Sequence, residues 1–312
     1  MSGERARWRA AAVVASIALT ACQDPPCGEA PGDLCAIVGS GEIGWNGDGR
    51  LALETDLNLV SAARRGPDGL LWVMDFNNQR LRRVEADGRI TTVCGNGEHA
   101  IAAVGAGALE SPLENPLDFG FLPDGRLVFV SYHDPRVLEL SPEGRIVAIA
   151  GAADGVTGTV GDEGDGGPAS AALFIQLDGI AVAGDGAIFV SDSRANRVRR
   201  IAAEGERVIT TVAGTGEGAL SGDGGPGAAA ALRWPTALAF GPDGALYLAD
   251  SLNHALRRLD ADGTITTIAG DGVAGDAGDG GPASAARLAE PFGVAVDADG
   301  AIYVADRGNH RV

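Results

Sequence analysis

Five times along this chain an Asp-Gly turn precedes a short apolar strand, and that regularity limits what the chain can fold into. The Asp-Gly pairs begin at residues 68, 124, 185, 243 and 299, in steps of 56, 61, 58 and 56 residues. The strands that follow end in Trp72-Val73-Met74-Asp75, Phe129-Val130-Ser131, Phe189-Val190-Ser191-Asp192, Tyr247-Leu248-Ala249-Asp250 and Tyr303-Val304-Ala305-Asp306. A long period built from short strands means repeated units rather than one irregular core.

One unit can be followed from Pro235. Ala237 to Phe240 is a short apolar run, and Gly241-Pro242-Asp243-Gly244 supplies turn residues. Ala245 to Ala249 reads as a second strand, Ala255 to Leu259 as a third, and the β-branched run Thr264 to Ala269 as a fourth. Four antiparallel strands per unit is the build of a propeller blade. Between blades runs a crossover with the core Gly164-Asp165-Gly166-Gly167-Pro168-Ala169, repeated at Gly222 to Pro226 and Gly278 to Ala283, with a worn copy at Gly47-Asp48-Gly49-Arg50. The Ala-rich stretch after it fits one helical turn with Pro near its start.

The N-terminus reads as an export signal. Arg5, Arg7 and Arg9 form a positive region, and Ala10 to Leu19 is an apolar run too short to span a membrane as a helix. Leu19-Thr20-Ala21-Cys22 resembles the lipobox of bacterial lipoproteins, which implies acylation of Cys22. The expected organisation is therefore a signal over 1–21, a Cys-containing tether over 22–35 and repeats over 36–312. Gln23 resembles outer-membrane sorting, so the expected address is the outer membrane or cell surface rather than the inner membrane. Export permits disulfides. Cys27 and Cys35 flank a turn-rich stretch and form one candidate bridge; Cys94 reads as a buried small hydrophobe, with pairing to Cys35 as the alternative. The net charge of −18 argues against nucleic acid, whose binding is driven by Lys and Arg neutralising phosphates.

The repeats resemble NHL-repeat β-propellers, and with their Gly-Asp-Gly-Gly-Pro crossover they are similar to the NHL repeats of teneurins and of exported bacterial proteins. The residues that carry this are Gly293-Val294-Ala295-Val296, Ile302-Tyr303-Val304-Ala305-Asp306 and Asn309-His310-Arg311-Val312. The resemblance implies an all-β fold of four-stranded blades with five repeats visible. Blade two departs most, with Ser131 in place of Asp and no Gly-Asp-Gly-Gly core between Asn96 and Leu113. Cys35 to Gly41 aligns with the end of a fourth strand, and the chain stops at Arg311-Val312 as a third strand begins. The N-terminal strand is placed to complete the last blade, which gives a closed five-bladed ring; a truncated six-bladed ring stays open as the alternative.

Candidate site residues fall into sets. His254 and His310 occupy the same place in adjacent repeats, so they are either metal ligands, as resemblance to zinc-binding propeller lyases implies, or partners of turn backbone. The strand-ending Asp75, Asp192, Asp250 and Asp306 are either a calcium-binding ring or ties for turns, with Arg80, Arg197 and Arg311 as salt-bridge partners five residues on. The crossover acids Asp162, Glu163, Asp165, Asp276 and Asp279 are either a calcium site or solvated turns. The innermost strands should line a channel with Arg64, Gly120, Ala181, Ala239 and Ala295, and Ser61, Asp118, Asp178 and Thr236 should lie near one mouth. Trp45 and Trp234, in crossovers, are candidate binding aromatics. No cofactor is expected, with Ca or Zn as the exception. The expected function is a lipid-anchored binding or scaffold module for a protein or glycan partner on the cell surface. The alternative is a metal-dependent propeller enzyme, a lyase or lactone hydrolase acting at the channel mouth.

Overall fold

The computed structural model describes residues 36–152 and 162–312. The expected signal over 1–21, the expected tether with Cys22, and the Cys27 and Cys35 candidates lie outside the described residues. Four sheets of four consecutive antiparallel strands follow one another along the chain, and a fifth has two. Blade one holds β1 (Val60–Arg65), β2 (Leu71–Asp75), β3 (Arg80–Val84) and β4 (Ile90–Cys94). Blade two holds β5 (Pro116–Phe121), β6 (Leu127–Ser131), β7 (Val137–Leu140) and β8 (Ile146–Ala150), and blade three β9 (Leu177–Val182), β10 (Ile188–Asp192), β11 (Arg197–Ile201) and β12 (Ile209–Ala213). A two-residue β13 (Gly225–Pro226) joins the edge of blade four, which comprises β14 (Pro235–Phe240), β15 (Leu246–Asp250), β16 (Ala255–Leu259) and β17 (Thr264–Ala269). Blade five pairs β18 (Pro291–Val296) with β19 (Ile302–Asp306).

The third and fourth strands of blade four span the residues expected from sequence, and the inner strand begins two residues earlier, at Pro235. Proline is admitted there because a strand's first residue need not donate to the ladder. The Ala-rich crossover stretches form single 3-10 turns at Ala52–Glu54, Ala169–Ala171, Gly227–Ala229 and Ala283–Ala285.

The apolar core lies between blades. Trp72, Met74 and Leu81 of blade one pack with Phe119, Phe129 and Leu138 of blade two. Val128, Val130 and Val137 of blade two pack with Ile180, Val190 and Ile201 of blade three. Each blade thus buries a face against its neighbour, which is how short twisted sheets without helices exclude water. Cys94, a free thiol, is wholly buried in the first of these interfaces, and burial pushes its pKa up to about 12.

The start of the described chain repeats the geometry that ends every fourth strand. Gly39 N–H donates to Ala52 O and Ser40 N–H to Thr55 O, as Gly214 does to Gly227 O and Thr215 to Ala230 O. Each of those glycines has a φ near +95°, which only glycine adopts without strain (Gly39 +97°, Gly95 +95°, Gly214 +96°). Gly95 and Gly214 also lie against the backbone that leads into their blade's third strand, at Gln79 O and Asn196 O. Gly39 has Leu57 as its neighbour instead, so residues 36–40 pack on blade one and are not paired with β19.

Candidate functional site

Turn chemistry first sets where each candidate side chain points. The strand-ending aspartates tie the chain back onto its own blade. Asp75, Asp192 and Asp250 are wholly buried and Asp306 nearly so. Their Oδ1 atoms accept the N–H of Asn58 at 2.8 Å, of Ile175 and Gln176 at 3.0 Å each, of Arg233 at 2.7 Å and of Ala289 at 2.7 Å. The turn reading, and not a calcium ring, accounts for these bonds.

Their cationic partners differ from the sequence expectation. Arg311 does pair with Asp306 at 2.9 Å, but Asp75 faces Arg82 at 3.6 Å and Asp250 faces Arg257 at 3.2 Å. These arginines lie two residues further along the same face of the third strand, sealed from water, whereas Arg80 and Arg197 sit at its edge. Arg80 stacks on Trp45 at 3.8 Å and Arg197 bonds Asp162. Arg82, Arg199 and Arg257 also reach the crossover acids Asp48, Asp165 and Asp223 at 3.0, 2.8 and 2.8 Å. The Gly-Asp-Gly aspartate is therefore an anchor that pins each crossover to a buried guanidinium, and Asp279 approaches Arg311 likewise at 3.4 Å. Sequence reasoning missed these arginines, although the repeated Arg-Arg pairs of the third strands (Arg82-Arg83, Arg199-Arg200, Arg257-Arg258) carried the signal.

Residues from all five inner strands line a central cavity of 620 Å³. Gly120, Ala181, Ala239 and Ala295 keep its wall thin, and Arg64 projects among them. Arg64 Nη2 donates to both oxygens of Asp118, at 2.8 and 3.0 Å, and the guanidinium lies 6.0 Å from the Phe119 ring centroid. Asp118 in turn accepts Ile180 N–H of the next blade at 3.1 Å. Asp178 accepts Gln176 Nε2 at 2.8 Å and Trp234 Nε1 at 3.1 Å. Burial raises the Asp178 pKa, against the lowering by Gln176, Ser193 and Trp234. Ser61 and Thr236 spend their hydroxyls on the neighbouring strands, donating to Pro116 O at 3.2 Å and Phe292 O at 2.9 Å.

The structure thus brings Arg64 to Asp118 on the cavity wall, and Trp234, which does not itself line the cavity, to Asp178 of that wall. Trp45 lies apart from them, its ring under Arg80 and Arg82 (3.8 and 4.4 Å) at the outer part of blade one. His254 and His310 are also apart, each in the left-handed turn after its second strand (φ +53° for both). His254 Nδ1 accepts Glu290 N–H of blade five at 3.1 Å, as Gln79 Oε1 accepts Asn115 N–H at 2.7 Å and Asn196 Oδ1 accepts Trp234 N–H at 2.9 Å. The residue here is an acceptor that clamps a blade to the next one. Of the two readings of these histidines, the backbone partner describes His254, whose Nδ1 is engaged, and among the described residues neither His254 nor His310 belongs to a group of three metal-type ligands.

Comparison with known proteins bears on the same architecture. Solved propellers include an auxiliary nutrient binding protein of Bacteroides thetaiotaomicron, with a TM-score of 0.58 at 18% identity over 84% of this chain and 61% of that one. A gluconolactonase of Xanthomonas campestris follows with a TM-score of 0.52 at 14% identity, over 80% of this chain and 70% of that one. Residues 288–312 match the NHL repeat family. The chain has the β-propeller fold, with an NHL repeat over residues 288–312. Teneurin-m of Drosophila melanogaster is 30% identical over 285 residues, 85% of this chain and 10% of that protein. Suppressor of quenching 1 of Arabidopsis thaliana is 28% identical over 295 residues, 88% of this chain and 26% of that protein. The propeller therefore spans about a quarter or less of these curated relatives.

Proposed function

We propose that this propeller is an exported, lipid-anchored recognition module that holds a polar ligand, a glycan or a protein segment, at the mouth of its central cavity. The observation that carries this is the cavity itself. Its volume of 620 Å³ falls within the ~300–1,000 Å³ of small-molecule sites, and its few polar groups are fixed by hydrogen bonds before any ligand arrives. Groups locked in place lose little entropy on binding, which favours recognition. Trp234 supplies an aromatic surface beside the buried carboxylate of Asp178, and Arg64 adds a cation balanced by Asp118. The likeness to a solved structure named as a nutrient binding protein supports a binding role. The lipid anchor rests on the lipobox at Cys22, and the net charge of −18 disfavours nucleic acid as the partner.

Binding of the purified protein to an array of glycans and envelope peptides tests this reading. Trp234→Ala should weaken the ligand found by about 30-fold, the ~2 kcal/mol of a central aromatic contact, with the melting temperature recorded beside it. A ligand whose affinity ignores both Trp234→Ala and Asp178→Asn would place recognition elsewhere on the molecule. The fold is shared with a gluconolactonase, so hydrolysis of a lactone by the same preparation would replace the recognition reading with the enzyme reading.

A further inference from the structure

Blade two is the repeat that departs most from its siblings, and it holds a constellation that the others lack. His99 Nε2 lies 2.7 Å from Glu114 Oε1, and His133 Nδ1 lies 2.9 Å from the same oxygen. One ligand atom from each residue falls within 4.8 Å of the other two, and among the described residues this is the group of three or more metal-type ligands that comes together so closely. Glu114 is nearly buried, while both imidazoles are half-exposed (57% of each side chain).

The scaffold beneath these residues is common to the repeats. His99 bridges Leu113 as Ile43 bridges Leu57 and Gly218 bridges Leu232. Tyr132 N–H donates to Asn115 O as Ser251 donates to Trp234 O. The positions equivalent to His99, Glu114 and His133 are therefore Ile43, Asn58 and Asn77 in blade one, and Gly218, Arg233 and Leu252 in blade four. Those blades fold with no histidine and no acid at any of the three. The turn does not require them, so their convergence in blade two calls for another cause.

We propose that His99, Glu114 and His133 form a binding site for a borderline divalent transition metal ion of the zinc, nickel or copper class. Two imidazole nitrogens and one carboxylate oxygen are the donor set such ions take, and hard cations such as calcium favour an all-oxygen shell instead. Ligand atoms at ~2.0–2.2 Å from a zinc ion stand about 3.4 Å apart in a tetrahedron, so each His–Glu114 pair opens by less than about 1 Å to admit it, and the two imidazole nitrogens already lie within 4.8 Å of each other. Rotation of two half-exposed rings supplies that movement. Three protein ligands leave at least one coordination position open to solvent, on the side where both rings are exposed. Neighbouring contacts steady the ligands: Tyr132 packs edge-on against His133 with ring centroids 4.4 Å apart, and Glu98 O accepts Leu113 N–H one residue before Glu114.

The test is calorimetric titration of the full-length, chelator-stripped protein with zinc chloride, repeated with calcium chloride. One class of zinc site is expected in the wild type and no calcium binding there. The paired substitution His99→Ala with His133→Ala should weaken zinc by at least about 100-fold, the upper end of what losing even an outer-shell partner costs. Glu114→Gln should weaken it too, while His254→Ala with His310→Ala should leave it unchanged. A cobalt-loaded sample separates this site from the cysteines, because thiolate ligands add a charge-transfer band that nitrogen and oxygen ligands lack. Circular dichroism confirms that each variant is folded. Zinc affinity unchanged in the folded His99 and His133 variant, or a thiolate band in the wild-type cobalt spectrum that accounts for all the metal, would overturn the assignment.

Discussion

At the scale of single residues, the buried aspartates show how one missing donor alters a repeated site. In blades one, four and five the second carboxylate oxygen accepts an amide from Asn78, Asn253 or Asn309, at 2.9, 2.8 and 2.7 Å. In blade three the equivalent residue is Ala195, and Asp192 Oδ2 is buried with no partner. Burial accordingly raises the Asp192 pKa to about 7, above the value of about 6 to which burial brings Asp250 with its asparagine and Arg257 in place. Both folded values exceed that of the unfolded chain, so the folded state binds extra protons between roughly pH 4 and 7. The stability contributed by these groups is complete below the unfolded pKa and is lost as pH rises through about 6 to 7. Chemical denaturation from pH 5 to 8 should show that fall, and Asp192→Asn should flatten it. Ala195→Asn should restore the missing donor, lower the Asp192 pKa and stabilise the protein at pH 8 by about 1 kcal/mol. An unchanged slope in both variants would assign the pH dependence to other groups.

At the scale of elements, neighbouring blades are joined by apolar packing and by single hydrogen bonds from the left-handed turn after each second strand. Asn196, at φ +53°, offers its Oδ1 to Trp234 N–H across the blade three–four boundary. Asn196→Gly keeps the backbone conformation and removes both side-chain bonds, the clamp to Trp234 N–H and the Nδ2 donation to Gly216 O at 3.2 Å. We expect a loss of about 1 kcal/mol and faster hydrogen exchange at the Trp234 amide, with the amides of β11 little changed. In blade two this position is Pro135, which has no such acceptor, and the strand-ending acid is Ser131. A buried ion pair of Asp134 with Arg136 at 2.6 Å stands one turn away instead. The blade kept its strands while its polar ties moved by three residues, and the histidines flank that change.

At the scale of the whole molecule, five inner strands meet around one cavity, and the proposed lipid anchor rests on the sequence around Cys22. Cys22→Ala should release the protein from the membrane fraction into the soluble fraction of the expressing cell, as read by fractionation and immunoblotting. Tight retention of the variant would remove the lipid anchor from the functional reading. Apolar residues stay exposed beside the first blade, with Ile43 at 82% and Leu59 at 62% exposure ahead of β1.

Much of this was legible in the chain because a propeller is nearly one-dimensional: each blade depends on local turns and alternation, so Asp-Gly spacing and β-branched runs were enough to mark strands to within a residue or two. Local signals also identified the inner-strand residues Gly120, Ala181, Ala239 and Ala295, since small side chains at one strand phase have to face a crowded axis. The pairing of Asp75 with Arg82, rather than Arg80, was not legible, because two arginines on one strand face differ only in how deeply the neighbouring crossover covers them. Nor was the meeting of His99, Glu114 and His133. They stand 15 and 19 residues apart, with no ligand spacing between them, and come together because a crossover, the bend ahead of an inner strand and a hairpin turn fold back to one corner of the blade. Sequence alone determined the repeat and its strands, which depend on neighbours along the chain; tertiary structure decided which charges are buried together, because burial depends on what packs from another blade.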